Sequence, residues 1–115
     1  MTENKEFLPK ENRRDRVNAI GFALRLFEIN RPFNKAVASP EEFREAISKD
    51  AFAINAFTEL EMDTSDRMLA VDIALRITET YNRNFSSPHS LTTDELDGLA
   101  RSVLNFMRYE GKPIT

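Results

Sequence analysis

The side chains that could carry out chemistry are few, and they stand apart from one another. His89 is the only histidine and there is no cysteine, so the usual zinc ligand sets are missing. His89 follows a Ser-Ser-Pro run, and Asp94 lies five residues further on, whereas a general base usually needs a partner that orients it. We therefore predict no catalytic residue, no metal site and no cofactor.

Carboxylates are plentiful and fall into two clusters. The first, Glu41, Glu42 and Glu45, begins a predicted helix, where negative charge suits the helix dipole. The second, between Glu59 and Asp66, has the partly alternating spacing of a calcium loop but lacks its central Gly and its closing Glu. Glu-x-x-His pairs and glycine-rich phosphate loops are also missing from the sequence. An enzyme with a site made only of carboxylates remains our third hypothesis.

Charge is distributed unevenly along the chain. The formal net charge is −3, yet residues 1–35 carry +3 and residues 36–66 carry −6. The basic run near the start is interleaved with Glu11 and Asp15, which dilutes its field; its members are Lys10, Arg13, Arg14 and Arg16. The overall acidity disfavours binding to nucleic acid or to an anionic membrane. A nucleic-acid-associated regulator that uses the basic first helix is kept as the alternative function.

Large apolar residues recur every three or four positions, and this spacing predicts helices. No segment alternates cleanly enough to be a strand. We predict an all-α, single-domain bundle of four to five mostly antiparallel helices. It occupies residues 13–111, with a mobile N-terminal arm over residues 1–12 and a C-terminal tail over residues 112–115.

The first helix is predicted over residues 13–30 and the third over residues 65–82. Two apolar stripes on the first helix indicate burial on more than one side: Val17, Ile20, Leu24 and Phe27, then Phe22, Leu26 and Ile29. Gly21 between them predicts a close approach of another helix. The main predicted core stripe of the third helix is Leu69, Ile73, Ile77 and Tyr81, which Met68, Val71 and Leu75 widen.

Capping signals mark the starts of the second and fourth helices. Ser39 followed by Pro40 and Glu42, and Thr92 followed by Glu95, predict two capping boxes. Asp50 falls close to the apolar stripe of the second segment, so we expect a break there rather than one continuous helix.

Surplus apolar surface gives the best functional lead, because aromatic residues and methionine are enriched at the cores of protein interfaces. The candidate interaction surface consists of residues near helix ends or stripe edges: Phe33, Phe52, Met62, Phe85 and Met107. We predict a protein–protein interaction module of the adaptor, inhibitor or chaperone type. It docks another protein, or a second copy of itself as a homodimer. A cytoplasmic location is expected and a membrane partner is not.

Overall fold

A computed structural model of the chain describes residues 10–34, 39–59, 64–109 and 111–115. The described residues form four α-helices and no strand: α1 (Lys10–Asn30), α2 (Pro40–Thr58), α3 (Thr64–Asn84) and α4 (Thr93–Arg108). A short 3₁₀ turn, Arg31–Phe33, follows α1. The all-helical prediction is confirmed. The first helix begins three residues earlier than predicted.

The helices are packed in a flat arrangement. The main helix contacts join α1 to α2 and α3 to α4, while α2 also touches α3 and α4 and α1 touches α3. The Cα atoms span 52 × 43 × 17 Å. Two helices about 9 Å apart are roughly 14 Å thick at their Cα atoms, so the molecule is little more than two helices deep. Its radius of gyration, 15.4 Å, exceeds the roughly 13 Å typical of this chain length.

Alanine rather than large aliphatic residues forms much of the helix–helix contact. The buried alanines are distributed over all four helices: Ala19, Ala23, Ala51, Ala70, Ala74 and Ala100. Small side chains let helix axes approach closely. Leu26, Ile54 and Leu75 are completely buried and fill the space between the helices. The core therefore runs along a face of each helix that is richer in alanine than the predicted stripes.

Two predicted core stripes are only partly correct for this reason: Phe27 and Ile73 pack against the core, but most of their stripe partners do not. On α1 the residues Val17, Ile20 and Leu24 are exposed, and the second stripe, extended by alanine, is the buried one. On α3 Leu69 and Ile77 are exposed, while Val71 and Leu75 are buried with four polar or small neighbours on the same side. Helical spacing shows that large residues share one side of a helix, but it does not show whether that side faces the neighbouring helices.

Two further local predictions are corrected. The second helix continues through Asp50, since α2 is a single helix of 19 residues; the Asp50 side chain keeps part of its surface in water at a cavity edge, so it does not end the helix. At Gly21 no described atom outside its own stretch of α1 lies within 4 Å of the position a Cβ would take. None of the other three described helices therefore makes the predicted close approach there.

The predicted caps are in place. The Ser39 hydroxyl accepts the N–H of Glu42 at 3.1 Å, and α2 begins at Pro40. At α4 the box is reciprocal: the Thr92 hydroxyl accepts the Glu95 N–H at 3.1 Å, and the Glu95 carboxylate accepts the Thr92 N–H at 2.8 Å. The preceding loop is clamped to α1, because Asn30 both donates to and accepts from the Leu91 backbone at 2.7 Å.

Candidate protein-docking surface

The outside of α1 carries a stripe of aliphatic side chains in water. Val17, Ile20 and Leu24 are 61%, 47% and 43% exposed. Their spacing of three and four residues places them on one side of the helix. Isolated exposed apolar residues are normal on protein surfaces, whereas a contiguous apolar strip marks a place for contact with another molecule.

Phe52 of α2 extends this strip across the groove between α1 and α2. Its side chain is 72% exposed, and it lines the same cavity as Ile20. We call the surface formed by Val17, Ile20, Leu24 and Phe52 the α1–α2 face. A largely exposed phenylalanine side chain is free to insert into the surface of a partner, and aromatic anchors of this kind dominate many interfaces.

A cavity of about 280 Å³ opens within the α1–α2 face. Its apolar lining consists of two alanines together with Ile20 and Phe52. Its polar lining consists of Arg16, Ser48 and Asn55. The cavity has the size of a pocket for one or two side chains and lies at the lower limit for a small-molecule site. Its mixed lining suits an apolar side chain that is accompanied by a hydrogen-bond donor.

Asn55, which lines the cavity, has a side-chain oxygen that lacks a hydrogen-bond donor within the described part of the chain. Only 6% of the residue is exposed, and its Oδ1 atom is buried without a hydrogen bond from any residue the structure describes. A buried polar atom left without a partner costs about 1–3 kcal/mol. Because Asn55 lines the cavity, a rotation of its side chain toward the opening would let a docked molecule supply a donor and remove that cost. Sequence reasoning missed Asn55 because a single asparagine within a helix carries no pattern.

The α1–α2 face ends in charges of opposite sign. On α1 the apolar stripe is continued by Arg13 at one end and Glu28 at the other, each at a four-residue step. On α2, Glu41 and Glu45 occupy the same side of the helix as Phe52, at steps of three, four or seven residues. All four of these charged side chains are exposed. The rim is therefore polar, as the rim of an interface is.

A second exposed apolar surface lies on α3 and α4. Leu69, Ile77 and Phe106 are exposed, and Ile73 and Leu99 are half-buried against the core. The C-terminal residues return toward α4, since the Ser102 hydroxyl donates to the Thr115 carbonyl at 2.9 Å. Two further cavities lie beside Phe33 and beside Pro88, and neither they nor the α1–α2 cavity include these apolar residues. This surface is therefore the weaker candidate.

A cluster of charges around Phe57 joins α2, α3 and α4 in the interior. The guanidinium groups of Arg67 and Arg101 lie 4.7 and 5.3 Å from the centre of the Phe57 ring, within cation–π range. Arg67 is buried and donates to the Phe57 carbonyl at 3.2 Å, near the end of α2. Burial raises the pKa of the nearby Asp97 carboxyl to about 6, although Arg101 and Arg67 both lower it.

A second charged group ties α1 to α3. The Arg25 guanidinium binds the two carboxylate oxygens of Glu79 at 2.9 and 3.0 Å and also contacts Asp72. Hydrogen bonding to Glu79 raises the pKa of Arg25, partly offset by burial. Such two-pronged pairs fix geometry as well as charge. Both charged groups are occupied in holding helices together, which favours a structural role for them over a catalytic one.

The structure scatters the residues of the predicted interaction surface. Phe33 lies in the 3₁₀ turn beside a different cavity, Phe52 is on the α1–α2 face, Phe85 packs edge-on against Tyr81 just after α3, and Met107 is near the end of α4. All four are exposed, and Met62 lies outside the described residues. Only Phe52 shares a cavity with the exposed stripe of α1, and the use of this set in binding stays a prediction.

Groups suited to catalysis do not converge in the part of the chain that the structure describes. The exposed His89 ring lies 4.9 Å from the Tyr81 ring. The Asn82 side-chain amide accepts the backbone N–H of His89 and donates to its backbone carbonyl. No group of three or more metal-binding side chains is found within the described ranges. Of the three cavities, none is lined by more than two carboxylates, and Glu79 in one of them is bound to Arg25.

Comparison with other proteins leaves the function to be inferred from this surface. No family model matches the chain, and no curated protein or solved structure matches it either. Among the described helices, none is long and apolar enough to cross a bilayer.

Proposed function

We propose that this protein is a small helical interaction module that docks another protein chain on the α1–α2 face. The observation that carries the proposal is the coincidence, in one place, of an exposed apolar strip and a cavity with an unsatisfied buried acceptor. Either feature alone is common. Together they describe an apolar groove with a polar contact that fixes orientation, which is how proteins receive an amphipathic helix.

The relative direction of α1 and α2 determines the shape of the groove between them. We infer that α1 and α2 run antiparallel. Phe27 meets Phe43 edge-on at 4.8 Å near the end of α1 and the start of α2, while Arg16 and Asn55 line one cavity near the start of α1 and the end of α2. The groove between two such helices is straight and about one helix wide, so an incoming helix can lie along it.

A photo-reactive phenylalanine analogue in place of Phe52 tests the proposal in cells of the native host. Phe52 is exposed, so the substitution should leave the fold intact. Phe85 is the matched control, because it is a similarly exposed phenylalanine outside the α1–α2 face. We expect illumination to give discrete protein adducts at position 52 and much weaker ones at position 85. Equal adducts at the two positions, or none at position 52, would contradict the proposal.

Nucleic-acid binding is the second candidate, and the exposed side chains of Arg13, Arg14 and Arg16 support it. Successive residues turn by about 100° around a helix, so Arg14 points away from the side shared by the other two. A protein that binds phosphates should retard DNA at low salt and release it as salt rises. Retention of DNA near physiological salt, lost on Arg14→Ala, would favour this candidate over docking of a protein.

A further inference from the structure

We infer that the occupant of the α1–α2 face is a second copy of this chain, related to the first by a two-fold axis that lies in the plane of that face and runs across the helices. The inference rests on the proposed function and names its partner. Homodimers with two-fold symmetry are the commonest oligomers of soluble proteins, and their interfaces must be self-complementary. The charges and the size of the α1–α2 face meet that requirement.

Charge complementarity follows from where the ionic groups lie. Arg13 and Arg16 occupy the end of the face at the start of α1. Glu28, Glu41 and Glu45 occupy the opposite end, about 20 Å away along α1. A half-turn about the central axis exchanges the ends, so each basic end meets the acidic end of the other copy. Opposed charges of this kind set register and orientation.

Groups of the other sign weaken this polarity but do not reverse it. Arg44 lies among the three glutamates at the acidic end, Arg31 is ion-paired with Glu28 at 3.8 Å, and Glu59 follows α2 near the basic end. The acidic end keeps a net negative charge and the basic end a net positive one.

At its centre the α1 side of the face is apolar, which suits a two-fold axis because a charge there would meet itself, while on α2 the exposed Lys49 lies to one side of Phe52. Ile20 lies midway between Arg13 and Glu28, and Phe52 lies across the groove from it. Gly21 is next to this point, is exposed, and has open space where a side chain would be. Two copies of α1 can therefore approach each other closely there without a side chain between them.

The area is enough for a weak dimer. Helices of about 20 residues are about 30 Å long and 10 Å wide, so two of them present roughly 600 Å² per subunit. Specific interfaces bury about 600–1,000 Å² per partner. The face lies at the lower limit of that range, and we expect dissociation in the micromolar range.

Sedimentation of the full chain over about 1–500 µM tests the inference. We expect the mass to rise from 13.2 kDa to twice that value. Two charge-reversed chains make the test specific: Arg13→Glu with Arg16→Glu, and Glu28→Lys with Glu45→Lys. Each alone should dimerise at least about tenfold more weakly. An equimolar mixture should recover the dimer, because the reversed ends match.

Leu69→Asp, on the exposed side of α3, is the control and should leave the dimer unchanged. Circular dichroism confirms that each variant is folded. A chain that stays monomeric, or a dimer indifferent to both reversals, would overturn the inference. If the chain is monomeric but position 52 still crosslinks to a different protein, the self-association fails while the proposed function stands. If position 52 gives no adduct, both fail.

Discussion

Replacement of Asp97 by asparagine should stabilise the protein above neutral pH. Burial raises the pKa of this carboxyl from the ordinary 3.8 to about 6, and its Oδ1 atom accepts no hydrogen bond from the residues described. The folded state therefore disfavours the carboxylate. Its contribution to stability is fully present below about pH 3.8, and it is lost as the pH rises through about 6. Asparagine has nearly the same shape and no charge to lose.

The magnitude follows from the pKa. Each pH unit between the folded and unfolded pKa corresponds to about 1.4 kcal/mol, which gives roughly 3 kcal/mol for a fully desolvated group. The Asp97 side chain is only about half buried, so solvent screening reduces the effect to about 1 kcal/mol. We expect Asp97→Asn to raise the free energy of unfolding by that amount at pH 7.5 and to leave it unchanged at pH 3.5.

Urea unfolding of both proteins between pH 3.5 and 8 measures the difference directly. Glu45→Gln is the control for loss of one carboxylate, because Glu45 is exposed and lies about three turns before Phe57 on α2. The reasoning is refuted if Asp97→Asn destabilises the protein at pH 7.5. Attraction between the carboxylate and Arg101 or Arg67 would then exceed the cost of desolvation. A difference that does not vary with pH would refute it as well.

Four other substitutions test the fold by thermal or urea unfolding. Thr92→Ala should cost about 1 kcal/mol through loss of the α4 cap, and an unchanged midpoint would show that the hydroxyl contributes nothing. Ile54→Ala should cost about 2–5 kcal/mol because Ile54 is fully buried; half-buried Ile73→Ala should cost clearly less, and the reverse order would contradict the observed core. Gly98→Ala should gain up to about 1 kcal/mol, since open space surrounds this helical glycine; a loss would mean that the site is crowded.

The local signals in the sequence predicted the ends of the elements well. Capping depends on residues three positions apart, so Ser39 and Thr92 mark the starts of α2 and α4 without knowledge of the rest of the fold. The Arg31-Pro32 pair likewise follows the end of α1 directly. Apolar spacing predicts the helical segments for the same reason, because it is a property of each segment alone, although the break expected at Asp50 is not found.

Which side of each helix is buried could not be predicted in the same way. Val17 and Leu24 have the spacing of core residues, yet Ala19 and Ala23 face the neighbouring helices. Alanine contributes little to an apolar stripe but allows the closest packing, and the choice between two sides depends on the other helices. The candidate site was missed for the same reason. Its stripe was assigned to the core, and only Phe52 was predicted to face a partner.

We expect binding of a partner to cover the α1–α2 face and to leave the other apolar surface of the described residues, on α3 and α4, in water. Methyl NMR with a soluble paramagnetic probe tests it residue by residue, first on dilute protein and then on protein that is concentrated or mixed with host extract. We predict that the methyl signals of Val17, Ile20 and Leu24 lose their broadening by the probe on concentration or mixing. Those of Leu69 and Ile77 should remain broadened. Continued broadening of the α1 methyls, with protection of those on α3 instead, would contradict the claim.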